Sequence, residues 1–165
     1  MARPRSLPDA DVFSALRHLL AAGGDKAVSF ASVARVTGLA GASLVQRYGS
    51  RDGMIRAALL AAWDGLDALT ETAAAEAESA QGFLKALGGG TPGAGDVALL
   101  AADFRDAALR ARAEAWRARV EALLTARLRD PEAAAILFAA WQGQALWQMA
   151  GGKGFRLKDA VKRLG

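Results

Sequence analysis

Three polar side chains, Ser43, Gln46 and Arg47, fall within one short stretch, ASLVQRY, that follows a glycine. In an α-helix, residues three and four positions apart lie on the same face, so these side chains share one side of the helix. Hydroxyl, amide and guanidinium groups hydrogen-bond to base edges and to phosphates. The spacing therefore predicts a helix that fits its outer face into the DNA major groove. An ordinary helical corner is the structural alternative.

So short a helix is marginal alone and needs neighbours that bury its underside. Ala34 and Gly38 stand four residues apart, and Leu39 and Leu44 follow them. This is the spacing of a helix-turn-helix, in which a small residue lets the helices cross closely and a glycine adopts the left-handed turn. With Val33 also pointing inward, Ser43, Gln46 and Arg47 remain on the outside.

The composition favours an all-α fold. Hydrophobic residues make up 53% of the chain and alanine dominates them, which suits helices because alanine has the highest helix propensity. Ser29 and Ser50 are expected to cap the second and the long fourth helix. The glycine-rich segment 88–95 predicts a loop. The apolar spacing predicts helices over about residues 9–22, 30–37, 40–47, 51–79, 96–130 with a break near Asp103, 132–150 and 156–164.

The positive charge is concentrated near the start of the chain. Residues 1–60 hold eight Lys and Arg against four Asp and Glu, so the whole net charge of +4 lies in this third and the remainder is neutral. A basic module joined to a neutral one suggests an anionic partner for the first. The chain has no cysteine, no signal-peptide pattern and no apolar run long enough for a membrane span, so a cytoplasmic protein is expected.

Residues 9–66 resemble the DNA-binding domain of TetR-family transcriptional regulators. The segments LLAAGGDKAVSFASVARVTGL and ASLVQRYGSRDGM and the long helix after them carry the resemblance. It implies a three-helix DNA-binding domain over residues 1–50, joined through a long helix to a helical ligand-binding and dimerisation domain over 51–165. The residues expected to contact DNA on this basis are Ser29, Ser43, Gln46, Arg47, Tyr48 and Arg51.

Within that set, Ser29 caps the second helix and can contact a phosphate. Tyr48 is a core anchor first and a DNA contact second, and Arg51 lies at the start of the fourth helix, where a phosphate is favoured. The chain departs from the family pattern at Ala40, where a capping Ser or Thr is usual, at Gly41, where a basic or polar residue is usual, and at Val45, which is often a tyrosine.

The helix predicted over residues 132–150 is apolar over a wide arc and must be covered on more than one side. The resemblance implies that this helix pairs with a second copy across a two-fold axis; a buried helix in a monomer is the alternative. The predicted interface stripe is Ile136, Ala140, Gly143 and Trp147.

The second half also holds candidates for a ligand pocket, although aromatic residues at helical spacing are more often core. The aromatic candidates and their polar partner are Trp63, Phe104, Trp116, Phe138, Trp141 and Gln144. With one histidine and no glycine-rich phosphate loop, no catalytic, cofactor or metal site is expected.

The sequence thus predicts a homodimeric repressor that binds a near-palindromic operator in double-stranded DNA and is released by a small, mainly apolar ligand. Two alternatives remain open. One is a DNA-binding dimer without an effector. The other is a helical ligand-binding or scaffold protein whose DNA reader is degenerate, which Gly41 and Val45 suggest.

Overall fold

The computed structural model describes residues 7–88, 105–151 and 153–164. Across these ranges the regular structure is helical throughout, which confirms the predicted all-α class. The helices, numbered in chain order over the described residues, are α1 (Asp9–Gly23), α2 (Phe30–Thr37), α3 (Gly41–Tyr48), α4 (Arg51–Glu76), α5 (Ala80–Gly88), α6 (Ala107–Leu128), α7 (Pro131–Met149) and α8 (Leu157–Leu164), with one 3-10 turn at Asp25–Ala27.

The chain divides into two compact units. Among the described residues, the first contains 7–64 and 105–110, and the second contains 65–88, 111–151 and 153–164. Helix α4 therefore contributes its first half to one unit and its second half to the other. The functional boundary predicted between residues 50 and 51 stays a prediction.

In the first unit, local caps set the limits of the short helices. Ser29 begins α2 with a capping box, in which its Oγ accepts a hydrogen bond from the backbone N–H of Ser32 at 3.0 Å. Gly38 ends α2 with φ 72°, a left-handed conformation that glycine adopts without a Cβ penalty. The Oγ of Ser50 accepts from the N–H of Gly53 at 3.0 Å at the start of α4. All three caps confirm the expectations from the sequence.

The fourth helix ends slightly before its predicted end near Ser79, and a helix that was not predicted follows it. Helix α4 ends at Glu76, and a separate helix, α5, begins at Ala80. Ser79 caps this new helix, since its Oγ accepts from the N–H of Gly82 at 3.0 Å, and Phe83 and Leu84 are fully buried. Gly88 ends α5; the rest of the predicted loop 88–95, residues 96–104 of the next predicted helix and its break at Asp103 lie outside the described residues.

The core of the second unit combines buried apolar side chains with a few satisfied polar groups. The indole N–H of Trp116 donates to Oγ1 of buried Thr70 at 2.9 Å. Arg127 donates from Nη2 to the backbone oxygens of Ala74 and Ala77, at 2.9 and 2.7 Å, and its guanidinium lies 4.8 Å from the centre of the Phe83 ring. The last turn of α4 thus gains partners for carbonyls that a helix end leaves unpaired.

Helix α7 begins as the sequence predicts. Asp130 accepts at Oδ1 from the backbone N–H groups of Glu132 and Ala133, at 2.9 and 3.1 Å, and Pro131 occupies the first turn. Over the described part of the chain, no helix has the length and apolar content needed to cross a membrane.

Candidate functional site

Helix α3 is held by its underside and presents its other face to solvent. Leu44 is 0% exposed, and Val33 of α2 and Leu39 of the connecting turn are buried with it. Ser43 and Gln46 are exposed on the outer face. The predicted division of α3 into a buried and a polar side is therefore present.

Two of the positions at which this chain departs from the TetR-family sequence pattern, Ala40 and Val45, lie at the start and in the middle of α3. Ala40 stands at the N-cap without a side-chain hydrogen bond, so the backbone N–H groups of the first turn have no hydroxyl partner there. Val45 is 45% exposed on the helix surface. An apolar side chain thus occupies a surface position beside the polar face.

Arg47 points from the last turn of α3 toward the start of α1. Its Nη1 donates to the backbone oxygen of Leu7 at 2.9 Å and to Oδ1 of Asp9 at 3.1 Å, and its side chain is 32% exposed. The neighbouring Tyr48 hydroxyl and the Asp9 carboxylate raise the pKa of Arg47 above the already high value of a free guanidinium. The guanidinium is therefore oriented by the protein itself.

Tyr48 shares this acceptor. Its hydroxyl donates to Oδ1 of Asp9 at 2.5 Å, and its ring centre lies 5.8 Å from that of Phe13 in α1. Partial burial, together with the hydrogen bond to Asp9, raises the pKa of Tyr48 to about 12. The half-buried Tyr48 thus contacts α1 from α3, and its role in DNA binding stays a prediction.

Arg51 at the start of α4 binds the loop before α2. Its Nε donates to the backbone oxygen of Val28 at 2.8 Å, and its Nη2 binds both the backbone oxygen and, at 2.8 Å, the carboxylate Oδ1 of Asp25. Nη1 reaches Oδ1 of Asp52 at 3.0 Å. Among the predicted DNA-contact residues, Ser29, Arg47, Tyr48 and Arg51 all have partners within the chain.

Comparisons with known proteins agree with this arrangement of helices. No family model and no curated protein matches the sequence. Several solved structures match over nearly the whole chain. A TetR-family member from Streptomyces coelicolor A3 is 25% identical, with a TM-score of 0.70 over 93% of each chain. The chain has the TetR-family fold.

Two further structures support this assignment. The multidrug binding protein EbrR complexed with malachite green is 24% identical and covers 96% of each chain, with a TM-score of 0.73. The TetR-family transcriptional regulator PfmR from Thermus thermophilus is 22% identical, with a TM-score of 0.68 over 93% of this chain and 94% of that one. The resemblance noted in the sequence is thus confirmed for the fold.

Two acidic residues of this TetR-family fold are important for the site, and the sequence did not reveal them. Asp9 binds Arg47 and Tyr48, and Asp25 binds Arg51. Each acid lies more than 20 residues from its partner in the chain, so no helical spacing connects them. The available sequence signal was the position of Asp9 in the first turn of α1, where a carboxylate interacts favourably with the positive end of the helix.

The second unit of the TetR-family fold contains a half-open cavity of about 330 Å³ between α5, α7 and α8. Its apolar wall consists of Leu84, Trp141, Ala145 and Leu157, and glutamine amides, Lys85 and Gly88 form the remainder. This volume is at the lower end of the range for small-molecule sites.

The structure separates the six residues predicted for the ligand pocket. Trp141 and Gln144 line this cavity. Trp116 and Phe138 are buried in the core, with their ring centres 5.9 Å apart. Trp63 is buried in the first unit, and Phe104 lies outside the described residues.

The four residues predicted for the dimer interface lie along α7 and retain access to solvent. Ile136 is 48% exposed and Trp147 is 66% exposed, while Ala140 and Gly143 are partly exposed between them. A Cβ built on Gly143 meets no atom within 4 Å. An exposed apolar stripe of this kind marks a surface suited to a protein partner.

Proposed function

We propose that this chain is a sequence-specific DNA-binding transcriptional regulator, a repressor that a small, mainly apolar ligand releases from its operator. The observation that carries the proposal is the presentation of α3, whose Leu44 is buried while Ser43 and Gln46 face solvent. A helix held in this way fits the major groove, which is about 12 Å wide.

The charge distribution supports the same interpretation. The excess of basic residues lies in the first 60 residues, which contain α1 to α3 and the start of α4. Such an excess attracts the phosphate backbone independently of base sequence. Gln46 and Ser43 would then supply the contacts to base edges, while Arg47 and Arg51 act near the phosphates.

We further propose that the chain works as a homodimer through the exposed stripe of α7. Two copies related by a two-fold axis would place two α3 helices about 34 Å apart, one turn of DNA, on a near-palindromic operator. The exposure of Ile136 and Trp147 supports this interface, since burial in a dimer would remove their large apolar surfaces from water.

The test is a gel-shift assay with DNA flanking the chain's own gene, over a series of salt concentrations. A regulator gives a sequence-specific shift that weakens with salt. Gln46→Ala should lower specific affinity about tenfold or more, because an amide paired with a base is lost. Gln81→Ala in α5 is the matched control and should bind as the parent chain does.

A second candidate is a helical binding protein whose DNA reader is degenerate. The uncapped first turn of α3 at Ala40 and the exposed Val45 favour it. The same assay separates the two functions, because a degenerate reader would give no shift beyond that seen with unrelated DNA. It would also show no difference between Gln46→Ala and the parent chain.

A further inference from the structure

The lining of the cavity in the second unit contains a positive charge and no negative one among the described residues. Lys85 of α5 is the one ionisable residue among the described residues that line it, and the other polar groups are neutral glutamine amides. The Lys85 side chain makes no ion pair or hydrogen bond within the described residues. Asp159 of α8, the acid next to this region in sequence, pairs with Arg156 at 2.8 Å and lines a different cavity.

An aromatic surface stands in the same cavity. Trp141 lines it, and the Trp141 ring centre lies 6.1 Å from that of Phe138, which in turn packs 5.9 Å from Trp116. This row of rings holds the indole against the core. A fixed indole favours stacking or edge contacts with another aromatic ring.

Two of the glutamine amides contact the segment before α8. A Cβ added at Gly154 would collide with Nε2 of both Gln144 and Gln148, so the backbone at Gly154 packs directly on these two amides. Both glutamines line the cavity. These amides thus supply neutral donors and acceptors to the lining that contains Lys85.

We infer that this cavity binds a planar aromatic anion, with the ring against Trp141 and the negative group at Lys85. The amides of Gln144 and Gln148 would bind polar atoms on the ring. A cation of the same shape would be repelled by Lys85, and the described lining holds no carboxylate to attract it. This inference rests on the proposed function, because it names the class of ligand that would release the regulator.

The experiment measures binding to the full chain without DNA, by calorimetry and by quenching of tryptophan fluorescence. One probe is acridine bearing a carboxylate, which is an anion. The other is acridine bearing an amino group at position 9, which is a cation at neutral pH because its ring nitrogen is protonated. We expect the anion to bind about tenfold or more tightly than the cation. Lys85→Gln should abolish this preference, and Trp141→Ala should weaken binding of both probes.

Lys158→Gln, which removes an exposed lysine of α8 outside the cavity lining, is the matched control and should leave the preference intact. Equal affinity for the two probes would overturn the inference, as would no binding of either probe or equal effects of the two lysine variants. Because DNA is absent, anion binding by a chain that fails the gel-shift test would contradict the proposed function but not the ligand class.

Discussion

Nη1 of Arg47 in α3 lies 3.1 Å from Oδ1 of Asp9 in the first turn of α1. The residue best suited by charge to bind a phosphate is thus already engaged by a carboxylate. A phosphate would have to share or replace this partner. Asp9 therefore both orients the guanidinium and competes for it, and the two effects can be separated by substitution.

Asp9→Asn should strengthen DNA binding. The amide keeps an acceptor for Arg47 and Tyr48 but removes a negative charge near the proposed phosphate path. An exposed ion pair of this kind contributes about 0.2–1 kcal/mol, so we expect affinity to rise by a factor between about 1.4 and 5 in a gel-shift or anisotropy assay. Asp11→Asn in the same turn is the control. Weaker binding by Asp9→Asn than by Asp11→Asn would instead make orientation the dominant effect.

Tyr48 should keep its proton to unusually high pH. Because the folded pKa is raised to about 12, above an ordinary value near 10, the contribution of Tyr48 to stability is complete below about pH 10 and is lost between about pH 10 and 12. The chain has a single tyrosine, so phenolate absorbance reports this residue alone. We expect a midpoint near pH 12, with folding followed by circular dichroism. A midpoint near 10 in a chain that is still folded would contradict the geometry.

Arg51→Lys should destabilise the fold while keeping the charge. A lysine cannot donate at once to the Val28 oxygen and to Asp25, as the guanidinium does. We expect the free energy of unfolding to fall by about 1–2 kcal/mol in urea titrations. Arg35→Lys, at an exposed position of α2, is the control and should change little. An unchanged stability in Arg51→Lys would leave phosphate binding as the principal role of Arg51.

Gly143→Ala should have opposite effects on the helix and on the dimer. A Cβ at this position meets open space in one chain, and alanine favours the helix interior by about 0.5–1 kcal/mol over glycine. In a close pair of α7 helices the same methyl group would push the backbones apart. We expect sedimentation velocity to show more monomer for Gly143→Ala, whereas Val36→Ala on α2 serves as a control. A tighter dimer would place the interface elsewhere.

The short helices were predictable because local signals define them. Ser29 and Ser50 accept hydrogen bonds from backbone N–H groups three residues later, and Gly38 adopts the positive φ that ends α2. Such effects depend on the local sequence alone. Helix α5 was not predicted because the alanine-rich segment before it contains no glycine or proline to mark a boundary. The buried pair Phe83 and Leu84 after Ser79 was the available signal for a new helix.

The contacts that orient the candidate site were not predictable in the same way. The hydrogen bonds of Asp9 to Arg47 and Tyr48 join residues about 40 positions apart, and only the packing of α1 on α3 brings them together. Whether an aromatic residue is core or pocket is likewise decided by packing. In the sequence Trp116 stands among charged residues and Trp141 among apolar ones, yet the first is buried and the second lines the cavity.

The three bonds from Arg51 to the segment 25–28 have a mechanical consequence. They couple the first turn of α4 to the segment that leads into α2, and α2 in turn supports α3. A displacement of that first turn would therefore be expected to move α2 and the α3 helix packed on it. Movement of α4 would consequently alter the position of α3 while its internal hydrogen bonds stay as they are.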